Sequence, residues 1–274
     1  MKIDAHQHFW SYNPVRDSWI DASMEVIRKD FLPKDLKPIL DANAIDGCIV
    51  VEANPSEAET QFLLDLADKN SFIKGVVGWV DLCADNVEAR LKLFSENKMF
   101  KGVRYLLQVE NEDFVLREDF QEGISKLSQF NLAYDVLIFP KHLANVVKLV
   151  EKFPNQQFVI DHIAKPQISK GLDSDWVKHI KKLGTFKNVA CKISGMVTET
   201  EGFNFQPEDF TPFLDTMVDA FGTDRLLFGS DWPVCLLAAE YKSVLQIIEN
   251  YFIDFSEEEQ RRIMGENAIK IYNL

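Results

Sequence analysis

The sequence predicts an α/β fold of the (β/α)8 type, one TIM-like barrel domain spanning residues 1–274. Three observations carry that prediction. Short runs rich in Val, Ile, Leu and Phe alternate with longer segments of helical period, the pattern of parallel strands joined by crossover helices. Eight such runs occur, the number that closes into a barrel. Polar residues stand at the C-terminal ends of those runs, where barrels of this kind place their active sites.

The first run, Lys2 to His8, ends in His6-Gln7-His8. Successive strand side chains point to opposite faces, so the two imidazoles share one. Trp10 to Phe31 lacks clean periodicity and carries Trp10, Tyr12 and Trp19, so it reads as a rim loop and pocket wall. A helical pattern over Leu36 to Ala44 leads into the second run, Gly47 to Ala53. Pro55 to Asn70 opens on Ser56 and Glu59, a capping box, and repeats Phe62, Leu63, Leu66 and Ala67 on one helix face. The third run, Lys74 to Leu82, precedes a helix over Val87 to Asn97, and the fourth, Lys101 to Leu106, precedes one over Asp119 to Asn131. Leu132 to Ile138 and Gln157 to Ile163 follow, with helices over Lys141 to Phe153 and Trp176 to Phe186. After Asn188 to Ser194 comes a second rim loop, Val197 to Pro207, then a helix over Pro207 to Phe221. The last run, Leu226 to Asp231, leads to a helix over Ala238 to Tyr251. Ser256 with Glu259 forms another capping box, opening a C-terminal helix through Ile263 toward Tyr272.

A chain of 274 residues, 46% of them hydrophobic, is long enough for one large core. Net charge of −13 and a pI near 4.9 repel nucleic acid and anionic lipid, and suit a soluble monomer or homo-oligomer. Cys48, Cys83, Cys191 and Cys235 are scattered through apolar runs without a Cys-x-x-Cys pair, so they read as free thiols in a reducing compartment, the cytoplasm. No signal-peptide pattern and no long apolar span is expected.

The chemistry-bearing candidates lie at strand ends. Charged groups are poor choices for strands buried on both faces unless each is paired or bound, so their repetition there implies a shared polar pocket. They are His6 and His8, Glu52, Asp81, Arg104, Asp135, Asp161 with His162, Lys192 and Asp231. Asp231 suits a metal ligand or a general base for water, and otherwise a turn residue. His162 suits a metal ligand or a hydrogen-bond donor to a substrate oxygen, and otherwise a satisfied core histidine. Arg104 stays protonated, so it would hold a carboxylate or polarise a carbonyl, or pair with an acid such as Asp135. Lys192 should meet a carboxylate or the ligand, while Glu52 would bind a metal or a substrate hydroxyl or pair with Lys192 or Arg104. Trp79 and Trp232 would stack on a sugar-like ring or pack in the core. His142 and His179 fall on expected surface helices and receive no role.

Taken in order, several stretches resemble one family: His6 to Trp10, Gly75 to Leu82, Gly102 to Arg104, Asp161 to Pro166, Cys191 to Gly195 and Phe228 to Val234. Together they resemble the amidohydrolase superfamily, in the lactonase branch that includes L-fuconolactonases and L-rhamnonolactonases. The resemblance implies a distorted barrel that hydrolyses a sugar lactone to an aldonic acid. It also implies strand-one histidines at His6 and His8, a strand-six histidine at His162 and a final-strand aspartate at Asp231. Two departures stand out. The strand-five region reads Ala133-Tyr134-Asp135-Val136 where many members have a metal-binding histidine, and Glu52 stands where lactonases often carry glutamine. One divalent ion, zinc, held by His6, His8 and Asp231, or no metal at all, is therefore expected rather than two. The catalytic set is Asp231, His162 and Arg104, with Glu52, Trp79, Lys192, Trp232 and Trp10 on the substrate. The alternatives are a metal-dependent decarboxylase on the same barrel and a non-catalytic sugar-binding barrel.

Overall fold

A computed structural model describes all of residues 1–274. The strands are β1 (Ile3–Gln7), β2 (Gly47–Val51), β3 (Ile73–Gly78), β4 (Phe100–Tyr105), β5 (Ala133–Val136), β6 (Phe158–Ile160), β7 (Val189–Ile193) and β8 (Leu226–Phe228), parallel and paired in chain order. Between β8 and β1 the ring closes at its C-terminal rim. There the His8 amide donates to the Trp232 carbonyl (2.7 Å) and the Asp231 amide to the His6 carbonyl (2.8 Å). The expected eight-stranded barrel is what forms.

The outer helices are α1 (Pro33–Ala42), α2 (Glu57–Lys69), α3 (Val87–Ser95), α4 (Glu118–Leu127), α5 (Leu143–Lys152), α6 (Ser174–Gly184), α7 (Thr211–Phe221) and α8 (Tyr241–Tyr251). Pro33 starts α1 three residues before the expected point, because a first-turn proline needs no amide partner and has its φ preset. Ser56 caps α2 by accepting from the Glu59 amide (3.1 Å), but the return half of that box is missing: Glu59 instead accepts from the Ala53 amide (3.4 Å). The second box, at Ser256 and Glu259, is complete. The C-terminal helix divides into α9 (Glu257–Arg261) and α10 (Asn267–Ile271), joined by a wide turn where Gly265 packs against the Met1 carbonyl with no room for a β-carbon.

Inside the barrel, a lower apolar layer draws Ile3, Ala5, Ile49, Val51, Val77, Ala133, Val159, Ala190 and Leu227 from the strands, and Ala268 and Tyr272 of the C-terminal segment close it from below. Two residues on from members of that layer, on the same strand face, stand Asp135, Asp161 and Lys192, and Arg104 stands two on from Gly102. β4 to β7 thus turn from uncharged to charged as they rise. β1 is the exception to simple alternation. Ile3 and Ala5 face inward, which would turn His6 outward, but the β1–β2 register shifts between Asp4 and Gln7 and returns His6 to the interior. A larger apolar core lies between the strands and the outer helices. No helix is long and apolar enough to cross a membrane, and all four cysteines are unpaired.

Candidate active site

Three imidazoles converge on one carboxylate oxygen above the charged layer. Asp231 Oδ1 lies 3.3 Å from His8 Nε2, 3.8 Å from His6 Nε2 and 3.9 Å from His162 Nε2. All four residues are at most 4% exposed. Each arrives by a different local device. His6 and His8 come from β1 through the register shift. β8 stops at Phe228, three residues earlier than expected, and Asp231 beyond it adopts a left-handed backbone (φ 58°). Gly229 is required by packing: a β-carbon there would stand 2.6 Å from His6 Cβ and 3.1 Å from Ser194 Cβ. Asp4 ties the two strands together, accepting from the His6 amide (3.1 Å), the Ser230 amide (2.9 Å) and the Ser230 hydroxyl (2.6 Å). Burial pushes the Asp4 carboxyl up to about 6 against those Ser230 bonds.

His162 opens a turn in which four consecutive residues, His162, Ile163, Ala164 and Lys165, hold φ between 47° and 60°. None is glycine, and left-handed backbone costs about 1–2 kcal/mol for each such residue. A turn of roughly three residues eclipses positions i and i+3, so His162 and Lys165 come to one side, and both line the pocket.

Burial favours the neutral form of two of the imidazoles. Burial drives the His6 and His162 rings well below the ordinary histidine value. His8 Nδ1 lies 2.8 Å from the Val51 carbonyl, which can only accept, so Nδ1 carries a proton and Nε2 is the nitrogen turned toward Asp231. His162 Nδ1 meets the Ser194 hydroxyl (2.9 Å), which can donate or accept. His6 Nδ1 stands between Asp161 Oδ1 (3.3 Å) and Lys192 Nζ (3.1 Å), an acceptor and a donor.

These residues fit a divalent cation. Four ligands about 2.0–2.1 Å from one tetrahedral ion stand about 3.3–3.4 Å apart. The donor atoms of His6, His8 and Asp231 lie within 4.8 Å of one another, and His8 to Asp231 is already at 3.3 Å. No histidine comes from β5, where Asp135 occupies the corresponding place.

Beneath the imidazoles lies a buried charge network that meets the pocket at Arg104. Lys192, wholly buried, pairs with Asp135 and with Asp161 Oδ1 (3.0 Å). Arg104 donates to Glu52 Oε1 (2.8 Å) and to the Glu52 carbonyl, and lies 3.4 Å from Asp161 Oδ2. Tyr272 donates to Asp135 Oδ1 (2.8 Å). Burial would raise the Asp161 carboxyl, but Lys192 and His6 hold it well below the usual range. Burial pushes Asp135 up to about 6 in spite of Lys192.

Above the imidazoles opens a pocket of about 260 Å3 lined by Trp10, Trp19, Leu106, Gln108, Val109, Leu137, Thr198 and Val234, with Arg104, His162, Lys165 and Asp231 among its polar groups. A small concave site with apolar walls and a few convergent polar groups is the form of a small-molecule pocket. The amidohydrolase family model matches residues 3–274. This chain belongs to the amidohydrolase family. It is 37% identical to an L-fucono-1,5-lactonase of Burkholderia multivorans, over 100% of this chain and 96% of that one. It is 34% identical to an L-fucono-1,5-lactonase of Burkholderia ambifaria, again over 100% and 96%. A crystal structure of an amidohydrolase from Burkholderia multivorans with bound zinc superposes with a TM-score of 0.96 at 36% identity, covering 100% of this chain and 99% of that one.

In this amidohydrolase the structure brings His8, His162, Asp231, Arg104 and Trp10 to the pocket, sets His6 beneath it against Asp231, and separates the others. Lys192 and Glu52 were expected on the substrate, but both are fully buried below the imidazoles, Lys192 against two aspartates and Glu52 against Arg104. Trp232 is buried in the outer core against Phe9 and Phe31, because Asp231 takes the pocket side and the next residue points away. Trp79 follows the end of β3, where Thr60 of α2 bonds its amide and carbonyl (2.7 Å each) and its ring meets Tyr105, outside the pocket lining. Asp81 accepts from the Cys83 amide (3.0 Å), a turn role. His142 is buried, not at the surface: Nδ1 accepts from the Phe139 amide and Nε2 donates to the Glu110 carbonyl, both at 3.2 Å. Sequence reasoning passed over Gln108, Thr198, Lys165 and its ion-pair partner Glu199. Lys165 carried a usable signal, standing three residues after His162 in the same stretch and before Pro166. The others sit on rim loops without periodicity.

Proposed function

We propose that this protein is a hydrolase that opens a sugar-derived lactone of the L-fuconolactone or L-rhamnonolactone class to its aldonic acid. The observation that carries this reading is the convergence of three imidazoles on Asp231 beneath a small, partly aromatic pocket, in a chain 37% identical over its whole length to an L-fucono-1,5-lactonase. His6, His8 and Asp231 are the residues proposed to hold one divalent ion, zinc by analogy with the zinc-bound relative. When bound, such an ion lowers the pKa of water and polarises the carbonyl.

The chain's own residues do the rest. Asp231 accepts a proton from water as the oxygen attacks the lactone carbonyl carbon. Developing charge on the carbonyl oxygen is met by His162, whose Nε2 donates when the Ser194 hydroxyl donates to Nδ1, and by the pocket-facing edge of Arg104. Collapse breaks the bond to the ring oxygen, which takes the proton from Asp231 and leaves as a hydroxyl on the opened chain. The layer below holds His6 and Arg104 in place, with Asp161 between them. Unpaired cysteines support a reducing, cytoplasmic setting.

The test is acid release from a panel of aldonolactones in a weakly buffered indicator solution. Wild type should acidify at least one of them, and Asp231→Asn should lose turnover by about 10³-fold or more with an unchanged circular dichroism spectrum. A wild type inert toward every lactone, or an Asp231→Asn variant with near-normal turnover, overturns the assignment.

A further inference from the structure

The hydrolysis proposed above uses the floor of the pocket and leaves its polar rim without a task. Gln108 stands on the short helical turn Leu107–Val109 beyond β4 and lines the pocket, and its Oε1 is buried with no hydrogen-bond partner in the protein. A buried amide oxygen in that state has lost water without replacement, and turning the amide toward the pocket would let a ligand hydroxyl or amine satisfy it. On the wall built beyond β6 and β7, the left-handed turn carries Lys165 to the pocket beside His162. There Lys165 is ion-paired with Glu199, the two being 17% and 15% exposed. Thr198 lines the same wall and spends its proton on the Gly195 carbonyl (2.9 Å), leaving oxygen lone pairs free.

The chemistry of this rim selects among ligands. A plain hydrocarbon ring would leave Gln108 Oε1 unpaired. An anionic substituent would meet a Lys165 ammonium already neutralised by Glu199, and would leave the Gln108 oxygen unpaired. A hydroxyl both donates and accepts, so neighbouring hydroxyls on one ring can donate to Gln108 and Thr198 while accepting from Lys165, which Glu199 holds from behind the pocket wall. Trp10 and Trp19, with rings 5.9 Å apart, supply apolar surface for the ring's carbon face.

We propose that Gln108 and Lys165, the latter positioned by Glu199, are the specificity-determining groups of this pocket, and that they read the hydroxyls of a polyhydroxylated lactone ring. This rests on the lactonase reading and names the part of the site that chooses the sugar. The strained turn has a purpose in this scheme: it places the imidazole that faces the carbonyl and the ammonium that faces a hydroxyl at a fixed separation.

The experiment measures kcat/KM for an aldonolactone that the wild type opens and for its single-deoxy congeners, in wild type, Gln108→Leu, Lys165→Met and Glu199→Gln. The readout is the ratio of parent to congener, in which the fraction of correctly folded enzyme cancels. A site built to bond a hydroxyl rejects the analogue lacking it strongly. Wild type should therefore discriminate by about 100-fold or more at one ring position at least, and that ratio should fall to within a few-fold of unity in Gln108→Leu or Lys165→Met. Glu199→Gln, which keeps shape and loses charge, should give an intermediate ratio at the position Lys165 reads. Variants that retain wild-type ratios at every ring position overturn the inference while leaving the lactonase reading intact. A wild type that opens no lactone overturns both.

Discussion

Replacing Lys192 by Met separates a structural ammonium from a substrate-binding one. The side chain is wholly buried and bridges Asp135 and Asp161. Without it, Asp161 keeps His6 and Arg104, but Asp135 keeps only the Tyr272 hydroxyl. Removing one partner of a buried pair costs about 3–5 kcal/mol. That cost has a ceiling, because the stranded acid can take up a proton instead. Holding neutral at pH 7 an acid that titrates near 3.8 when unfolded costs about 4 kcal/mol, and about 2 kcal/mol at pH 5. The sign follows from the direction of the shift. Burial already holds the Asp135 carboxyl at about 6, so the stability it costs is absent below 3.8 and grows as pH rises toward 6. Loss of Lys192 extends that window upward. Wild type, with Asp135 at about 6, already bears about 3 kcal/mol of that cost at pH 7, so full neutralisation adds about 1.4 kcal/mol. Lys192→Met should therefore lower the melting temperature at pH 7 by roughly 3–6 °C, at about 2–4 °C per kcal/mol for a chain of this size, and by almost nothing at pH 5. Asp135→Asn introduced into Lys192→Met should recover part of the loss. Urea melts at both pH values, with lactone kinetics on the folded variant, provide the assay. A variant as stable as wild type at pH 7 but with a strongly raised KM would refute the reasoning and return Lys192 to the substrate.

Other outcomes follow from the same geometry. Gly229→Ala should push its new methyl into His6 and Ser194, costing about 1–3 kcal/mol and, by moving His6, about 100-fold in kcat/KM; normal kinetics would show that His6 tolerates the displacement. Burial pushes the Glu59 carboxyl up to about 7, with Glu52 adding to the shift and the Ala53 amide opposing it, so wild type loses stability as pH rises from 4.5 to 7. Glu59→Gln should thus match wild type at pH 4.5 and gain up to about 3 kcal/mol at pH 8, and a difference in urea stability that ignores pH would contradict this. Chelator-treated protein should gain thermal stability on titration with Zn²⁺, by about 2.7 kcal/mol at a hundred times Kd. His8→Ala should show no such gain, and an unresponsive wild type would count against the metal site.

The chain by itself determined the barrel, because strand and helix periods are local properties and eight strands admit few closures. It also determined that charge collects at the strand tops, since two-residue alternation places Asp135, Asp161 and Lys192 above an apolar layer on the same faces. His6, His8, His162 and Asp231 were legible as partners because each ends a strand. What each charged group faces was not legible. Lys192 and Glu52 carry the same strand-end signature as Asp231, yet the depth at which a strand stops decides whether a residue reaches solvent or a buried ion pair. Trp232 and Trp79 were misplaced for a related reason: which side of the sheet a residue beyond the strand takes depends on the chain's course there, at Asp231 a positive φ and at Trp79 a clamp from Thr60. Lys165 and Gln108 entered the pocket through a left-handed turn and a rim loop, neither of which has a period to read. Only the tertiary structure decided those positions, because backbone of that kind is held against its local preference by contacts with strands distant in the chain.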